Sequence, residues 1–311
     1  MIRIGLIGCG AWGRFILRDL KTCGAAVDVV APSKSSQQNA AAHGADSIVP
    51  TLAELPDVVD GYVIAAPTSL HGPIIEALLP SKKPIFTEKP MTSDLASARR
   101  IVDAGRDRVF VMHKWRYHRG IERMRQEIAS GAAGDILGIQ IHRWGWGCPH
   151  KDVNAIWILM PHDLSIVLHW LGRLPPVRFV QPTLSGPVGT ALVAQLRDAG
   201  GPTVTIDMSI AAPEHRRTFT IVGSKASLEL RDSYDSMIRV RRGPPADPRA
   251  TGDTIAIGQD MPLLLELQAF LTYLNGGPPP MTSAPEGLLI VERTAEIEAA
   301  ATAGPHVMDR A

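Results

Sequence analysis

Residues 3–13 read RIGLIGCGAWG, and this stretch decides the fold of the first part of the chain. The apolar residues 4–7 predict a buried strand, and the amphipathic run after Gly13 predicts a helix. In between, Gly8 permits a tight turn, Gly10 lets the backbone approach a pyrophosphate, and Gly13 lets the helix pack close to the strand. Because a helix N-terminus attracts anions, the stretch predicts a dinucleotide-binding Rossmann unit.

The pattern of apolar segments changes about one third of the way along the chain. Strand candidates alternate with helical patterns at first, which predicts a parallel sheet with crossover helices, and these strands are predicted at residues 2–7, 27–31, 61–65, 84–87 and 109–113. Later segments alternate partially and are joined by turn residues, with strands predicted at residues 136–143, 191–197, 203–210, 217–222 and 227–230. The predicted fold is therefore α/β plus α+β: an N-terminal Rossmann parallel sheet and a C-terminal, mainly antiparallel, open-faced sheet domain. We predict a dinucleotide-binding domain over residues 1–117 and a substrate-binding and oligomerisation domain over residues 118–311.

Composition excludes several classes of protein. With 311 residues and 45% hydrophobic content, the chain is long enough for two cores. Lys and Arg number 32 against 31 Asp and Glu, so no basic patch for a nucleic acid is expected. No apolar run reaches the roughly 18 residues of a membrane helix, and the glycine-interrupted N-terminus is typical of a strand rather than a signal peptide. The three cysteines are scattered without metal-ligand spacing, which predicts reduced thiols, a cytoplasmic location and no metal site.

The end of the second predicted strand bears on the choice of cofactor. An acidic residue there usually binds the ribose hydroxyls of NAD, and Asp28 lies at about the expected distance from the glycines. Asp28 is nevertheless near the start of the strand, whereas Ser33, Lys34 and Ser35 follow its end. Hydroxyls and an ammonium group suit a ribose phosphate. We therefore predict NADP, with NAD as the alternative.

Two polar segments follow consecutive strands of the predicted parallel sheet. Residues 66–71, APTSLH, follow one strand, and residues 87–90, TEKP, follow the next. Open parallel sheets bind ligands at the carboxyl ends of their strands. Lys89 is thus placed to contact both the nicotinamide and a substrate hydroxyl, although a lysine at such a position can also be a simple surface residue.

Taken in order, these motifs resemble a known family. The chain carries GCGAWG at residues 8–13, APTSLH at 66–71, EKP at 88–90, a long matching segment at 114–136, and VGSKASLEL at 222–230. Over essentially its whole length it resembles the family of glucose–fructose oxidoreductase, inositol dehydrogenase and related sugar dehydrogenases (Gfo/Idh/MocA type). The resemblance implies that the cofactor is held by Gly8, Gly10, Ala11, Trp12, Gly13, Ser33, Lys34, Pro67, Thr68, His71, Glu88 and Lys89.

The resemblance also implies two catalytic residues. In the family, the lysine of EKP lies beside the transferred hydride, and a histidine in a DxGxH pattern supplies acid/base chemistry. Here Lys89 and His162 match those positions, while Ile158 stands at the usual Asp and an acidic residue follows directly as Asp163. Imidazole titrates near neutral pH, and an ammonium group stabilises developing alkoxide charge. We predict Lys89 and His162 as catalytic, and Asp163 as a substrate-binding residue that orients the imidazole or contacts a substrate hydroxyl.

Polar and aromatic residues accumulate around this segment. Arg116, Tyr117 and Trp144 are predicted to bind substrate, since the resemblance places residues 116–117 at the cleft mouth and aromatic rings pack against sugar rings. The same group includes Trp146, His150, Asn154 and Trp157. Core packing explains any single tryptophan equally well.

Together these observations predict an NAD(P)-dependent oxidoreductase that transfers a hydride between nicotinamide and a hydroxyl or keto carbon of a sugar, nucleotide sugar or cyclitol. Two alternatives stay open: a reductase of a non-carbohydrate carbonyl or tetrapyrrole, and a dinucleotide-sensing protein without turnover. The antiparallel half has more sheet than the late helices can cover, so a homodimer or homotetramer is expected. Neither a nucleic acid nor a membrane is an expected partner.

Overall fold

A computed structural model describes residues 1–148, 151–259, 261–304 and 306–307. His150, one of the predicted aromatic and polar group, lies outside the described residues. The chain divides into two compact units. The first consists of Met1–Tyr117 and Met261–Val291, and the second of His118–Asp260 and Glu292–Ala311.

The first unit is built on a parallel sheet, as predicted. Its strands, among the described residues, are β1 (Arg3–Ile7), β2 (Ala26–Val30), β3 (Ser47–Val49), β4 (Gly61–Ile64), β5 (Ile85–Glu88) and β6 (Val109–Met112), in the order β3-β2-β1-β4-β5-β6. All five predicted strands are present, and every pairing is parallel. The additional strand β3 is only three residues long, too short for a periodic pattern to reveal it.

Helices connect these strands, and each begins where the local sequence favours it. They are α1 (Gly13–Thr22), α2 (Lys34–Ala42), α3 (Thr68–Leu78) and α4 (Leu95–Gly105), with 3₁₀ turns at Leu52–Glu54, Leu79–Ser81 and Lys114–Tyr117. Helix α1 buries Ile16, Leu17 and Leu20 against the sheet. Ser33 and Asp94 cap α2 and α4 by accepting backbone N–H groups, as N-cap residues do.

The first unit is not the continuous segment that the sequence predicted. Its first segment ends at Tyr117, and residues 261–291 return to it, carrying α7 (Pro262–Leu274) and the start of α8 (Ala284–Ala303). Leu267 and Phe270 of α7 are fully buried in the same core cluster as Phe86 of β5, and the two phenyl rings stack with centroids 5.0 Å apart. An apolar helical stripe predicts that a helix is buried, but it does not specify which surface the helix covers.

The second unit contains the predicted antiparallel sheet. Over the described residues its strands are β7 (Ile136–Trp146), β8 (Val177–Pro182), β9 (Ala191–Leu196), β10 (Thr203–Ser209), β11 (Ala211–Gly223), β12 (Ala226–Leu230), β13 (Met237–Arg242), β14 (Thr251–Ala256) and β15 (His306–Val307), in the order β14-β13-β12-β11-β7-β10-β9-β8-β15. Strands β7 and β10 pair in parallel and the other neighbours pair antiparallel. The unit also holds α5 (Arg119–Ala129) and α6 (Ala155–Leu171).

The two faces of this sheet differ, and strand β7 shows how. Ile139, Ile141 and Arg143 are buried, and Arg143 contacts Asp163 of α6, so these residues lie on the helix-covered face. Because side chains alternate along a strand, His142 and Trp144 project from the opposite face.

No helix in the described ranges is both long and apolar enough to span a bilayer.

Candidate active-site residues

The glycine loop after β1 has the shape that its sequence predicts. Gly8 has φ +98°, and a Cβ there would lie 2.6 Å from the carbonyl oxygen of Ala65. A Cβ on Gly13 would collide with the carbonyl oxygen of Gly8, whereas a Cβ on Gly10 would meet no atom within 4 Å. Gly8 and Gly13 are therefore needed for the turn and for helix packing, and Gly10 leaves open space above the backbone.

The N-terminus of α1 is available to an anion. Trp12 is its N-cap residue, and no side chain of the described residues caps the helix by a hydrogen bond. In α1 the N–H of Arg14 donates to the Gly10 carbonyl at 3.2 Å and that of Phe15 to the Trp12 carbonyl at 2.9 Å, so the attraction for a phosphate in front of Gly13 comes chiefly from the helix dipole. Ala11 and Trp12 are exposed at the same loop. The glycine loop thus fits the pyrophosphate of a dinucleotide.

The carboxylate of Asp28 on β2 is engaged in hydrogen bonds within the first unit. Asp28 is 1% exposed, accepts two hydrogen bonds of 3.0 Å from Arg3 Nη1, and accepts a third of 2.7 Å from Ser47 Oγ. Ser33 and Lys34 are exposed beyond the strand, where Ser33 also caps α2. The end of β2 therefore presents hydroxyl and ammonium groups, while its carboxylate is held inside the unit.

The loops after β4 and β5 are tied together by a buried histidine. Pro67 precedes α3, Thr68 opens it, and His71 lies in its first turn. The ring of His71 is 1% exposed, with Nδ1 2.7 Å from the carbonyl oxygen of Pro90 and Nε2 2.9 Å from that of Ala66. His71 thus faces the protein interior and joins the two loops.

Glu88 links the EKP segment to the glycine loop. Its Oε1 accepts a hydrogen bond from the Trp12 indole, and its Oε2 accepts the backbone N–H of Lys89 at 3.1 Å. The ammonium group of Lys114 lies 4.4 Å from the centroid of the Trp12 ring, a cation–π contact. Lys89 is half-buried at the carboxyl end of β5. The first unit therefore gathers Trp12, Glu88 and Lys89 at one edge of its sheet.

Arg116 and Tyr117 hold the returning segment of the first unit. Arg116 is 2% exposed, and its Nη1 donates to the carbonyl oxygen of Met281 and to Glu286, both at 2.9 Å. The Tyr117 hydroxyl accepts the backbone N–H of Met281 at 3.0 Å, and burial raises the pKa of this phenol. These contacts give both residues a structural task beside the predicted substrate contact.

His162 and Asp163 are neighbours on α6 with different surroundings. His162 is half-buried, one residue after the helix-internal Pro161. Asp163 is fully buried, and its two carboxylate oxygens accept three hydrogen bonds of 2.6–2.9 Å from Arg143. The structure places Asp163 in a buried ion pair, because its position on the helix points it at the sheet, and its contact with substrate stays a prediction.

Trp144 lies on the other side of the sheet from Asp163. Its ring packs edge-on against His142, with centroids 5.6 Å apart, and the guanidinium of Arg216 lies 5.2 Å from its centroid. Arg216 is its register partner on β11 and shares its face. Trp144 and Asp163 are therefore on opposite faces, since one residue of register decides the face of a strand, and the substrate contact of Trp144 stays a prediction.

The remaining members of the aromatic and polar group are also separated. Trp157 and Asn154 both donate to Glu298, the indole at 2.9 Å and the amide at 2.5 Å, which fixes the start of α6. Trp146 is 79% exposed near the end of β7.

Two family models match most of the chain. Residues 2–113 match the oxidoreductase family with an NAD-binding Rossmann fold, GFO_IDH_MocA, and residues 121–229 match the C-terminal domain of the same family. The chain belongs to the GFO/IDH/MocA oxidoreductase family. The resemblance seen in the sequence is thereby confirmed, as is the combination of a Rossmann unit with a mainly antiparallel sheet.

Individual relatives place the chain within this family. An inositol 2-dehydrogenase of Acidothermus cellulolyticus is 32% identical over 185 residues, which cover 55% of this chain and 53% of the relative. The chain therefore spans about half the length of the curated relatives it first matches. A UDP-N-acetylglucosamine 3-dehydrogenase of Acidithiobacillus ferrooxidans has a TM-score of 0.83 at 20% identity, covering 96% of this chain and 97% of that one. A levoglucosan dehydrogenase in complex with NADH and levoglucosan has a TM-score of 0.84 at 16% identity, covering 97% of each chain.

Two residues of this GFO/IDH/MocA chain were not singled out from its sequence. His113 follows β6 as Lys89 follows β5; burial and the nearby charges of Arg116 and Lys89 hold its pKa well below the usual value. Glu266 on α7 is 1% exposed, and burial together with the charge of Glu88 raises its pKa well above the usual value. The position of His113 directly after a strand could have indicated it from the sequence. Glu266 comes near Glu88 only through the fold.

Proposed function

We propose that this chain is an NAD(P)-dependent oxidoreductase acting on CH–OH groups. The observation that carries the proposal is the glycine loop: a φ of +98° at Gly8, open space above Gly10 and an α1 N-terminus without a side-chain cap. These features suit a pyrophosphate, and Lys89 follows another strand at the carboxyl edge of the same sheet. Binding of NAD or NADP to the purified protein, followed by fluorescence, is the first test, and the absence of binding to either would refute the proposal.

We propose NADP as the preferred cofactor, with NAD as the alternative. Asp28 is occupied by Arg3 and Ser47, so the first unit offers no carboxylate from the body of β2 to ribose hydroxyls. Ser33 and Lys34 are exposed beyond the strand and suit a 2′-phosphate. Parallel titrations with NADP and NAD test this preference, and tighter binding of NAD would overturn it.

The catalytic residues we propose are Lys89 and His162. Bound nicotinamide would accept or supply the hydride, and oxidation of a carbinol must also release the hydroxyl proton. We assign that proton to the imidazole of His162, because imidazole side chains can accept and return protons near neutral pH. We assign to the Lys89 ammonium the stabilisation of negative charge on the substrate oxygen. In ketone reduction the same groups act in reverse.

The proposed substrate is a sugar, a nucleotide sugar or a cyclitol. Support comes from the family and from the names of the relatives, which include inositol 2-dehydrogenase and levoglucosan dehydrogenase. A screen of free sugars, nucleotide sugars and cyclitols, read by nicotinamide absorbance, tests this class. A reductase of a non-carbohydrate carbonyl or of a tetrapyrrole would turn over only compounds of its own class and none of these sugars. A sensing protein would bind the cofactor and turn over no substrate at all.

We also propose that the protein is a cytoplasmic homodimer or homotetramer. On the face of the second unit's sheet that carries His142 and Trp144, these two rings pack together, and Arg216 on β11 lies over the Trp144 ring. Such a broad sheet face suits a second copy of the chain. The free cysteines are consistent with a reducing compartment. Light scattering over a wide concentration range tests the assembly, and a monomer throughout would contradict it.

A further inference from the structure

His71 is the best-placed buried group that the proposed chemistry does not use. It lies in the first turn of α3, is 1% exposed, and presents its two ring nitrogens to two different loops. Nδ1 is 2.7 Å from the carbonyl oxygen of Pro90, the residue after Lys89, and Nε2 is 2.9 Å from the carbonyl oxygen of Ala66. Both nitrogens therefore face backbone, and neither is directed at open space.

The helix that carries His71 cannot easily shift relative to the segment after Pro90. A Cβ on the next residue, Gly72, would lie 2.6 Å from Ser97 Oγ and 2.9 Å from Thr92 Oγ1. Ser97 Oγ also donates to Glu76 of α3 at 2.5 Å. Close packing with specific hydrogen bonds on both sides makes α3 a rigid base for the imidazole.

We propose that His71 is a positioning residue for Lys89: its imidazole fixes the Pro90 carbonyl against the end of β4 and so fixes the backbone from which the Lys89 side chain extends. The proposal rests on the proposed function of Lys89, which it deepens. It also revises the prediction, made from the sequence, that His71 contacts the cofactor directly. A positioning role explains why an imidazole is buried at this site between two carbonyl groups.

The two contacts of the His71 ring nitrogens have different consequences. A neutral imidazole carries one N–H and can donate to only one of the two carbonyl oxygens. The pKa of His71 is lowered from its usual value, because the effect of burial outweighs the contacts with Pro90 and Ala66, which act to raise it. The contact with Pro90 is the shorter one, so we assign the proton of the neutral ring to Nδ1. The Nδ1–H···O bond to Pro90 then positions Lys89, whereas the unprotonated Nε2 makes no hydrogen bond to the Ala66 carbonyl oxygen.

Two substitutions distinguish the contact with Pro90 from the contact with Ala66. The amide nitrogen of asparagine stands as many bonds from Cα as Nδ1 does, and that of glutamine as many as Nε2 does. His71→Asn can therefore keep the donor to Pro90, whereas His71→Gln can place a donor at Ala66 instead. His71→Ala removes both contacts. His43 provides a matched control, because its Nδ1 also lies 2.8 Å from a backbone carbonyl oxygen, that of Asn39 on α2.

The experiment measures four properties of each variant: dinucleotide affinity, melting temperature, turnover, and the reactivity of the Lys89 amine in competitive acylation read by mass spectrometry. We expect His71→Ala and His71→Gln to lower turnover at least tenfold and to change Lys89 reactivity at least threefold, since small displacements of a reacting group are costly. We expect His71→Asn to restore both properties to within about threefold of wild type, His43→Ala to leave them unchanged, and dinucleotide affinity to vary by less than about threefold throughout.

Two results would overturn the proposal. If His71→Asn and His71→Gln are equivalent and merely follow the melting temperature, the ring only fills space. If His71→Ala weakens dinucleotide binding more than tenfold while Lys89 reactivity stays the same, His71 is a cofactor contact. Lys89 reactivity needs no substrate, so it decides the positioning role even if no sugar is turned over and the proposed function fails.

Discussion

The two units treat their predicted site residues differently. In the first unit, Gly10, Lys34 and Lys89 follow separate strands of one parallel sheet and thus reach the same edge. In the second unit, Asp163 is buried against one face of the sheet and Trp144 lies on the other. Parallel topology gathers residues from distant sequence positions at strand ends, whereas alternation along a strand sends neighbours such as Arg143 and Trp144 to opposite faces.

The largest expected effect comes from the buried ion pair of the second unit. Asp163→Ala leaves the buried guanidinium of Arg143 without its partner, so the free energy of unfolding should fall by about 3–5 kcal/mol. Urea unfolding followed by circular dichroism measures this. The double variant Arg143→Met with Asp163→Leu should recover much of the loss, because it removes both charges. Lost turnover with unchanged unfolding would instead identify Asp163 as a substrate contact.

The next effect concerns one residue from each unit. Lys89→Ala and His162→Ala should each lower turnover by about a hundredfold, or about 2.7 kcal/mol, the usual scale for loss of an acid/base group. Dinucleotide affinity should change less than about threefold. His215→Ala, at an exposed histidine of the second unit, serves as the control and should retain full turnover. Wild-type turnover in His162→Ala would show that the proton travels by another route.

A smaller effect is expected at the end of β2. Lys34→Ala should weaken NADP binding about tenfold, or about 1.4 kcal/mol, because a hydrogen-bonded charge on the 2′-phosphate is lost. NAD binding should be unaffected. Lys21→Ala is the matched control. Lys21 lies in the last turn of α1, away from the glycine loop, and pairs with Asp46. Equal loss of NAD and NADP affinity would remove Lys34 from the discrimination of the two cofactors.

The smallest effect on chemistry is expected at Trp144. Because its ring packs with His142 and Arg216 on the sheet face opposite Asp163, Trp144→Ala should change turnover less than about twofold. It should weaken self-association instead, which sedimentation at graded concentrations measures. A tenfold loss of turnover in a variant that still assembles would restore the substrate contact that the sequence predicted for this residue.

Local backbone chemistry was the most predictable part of the molecule. The turn at Gly8 depends on residues within a few positions, so the local sequence sufficed to predict it. The fate of Asp28 depended on Arg3, 25 positions away, and that of Arg116 on Met281 and Glu286, 165 and 170 positions away. Such partners follow from chain topology, which hydrophobic periodicity does not encode. Trp144 shows a further limit, since its face depends on strand register.

The return of residues 261–291 to the first unit has a consequence during synthesis on the ribosome. Phe86 and its neighbours emerge early, yet Leu267 and Phe270, which cover them, are translated about 180 residues later. At about 5–20 residues per second, this apolar surface waits roughly 10–35 s for its cover. The nascent first unit must therefore depend on chaperones or transient cover during that interval, and expression of residues 1–117 alone should yield an aggregating fragment rather than a minimal nucleotide-binding module.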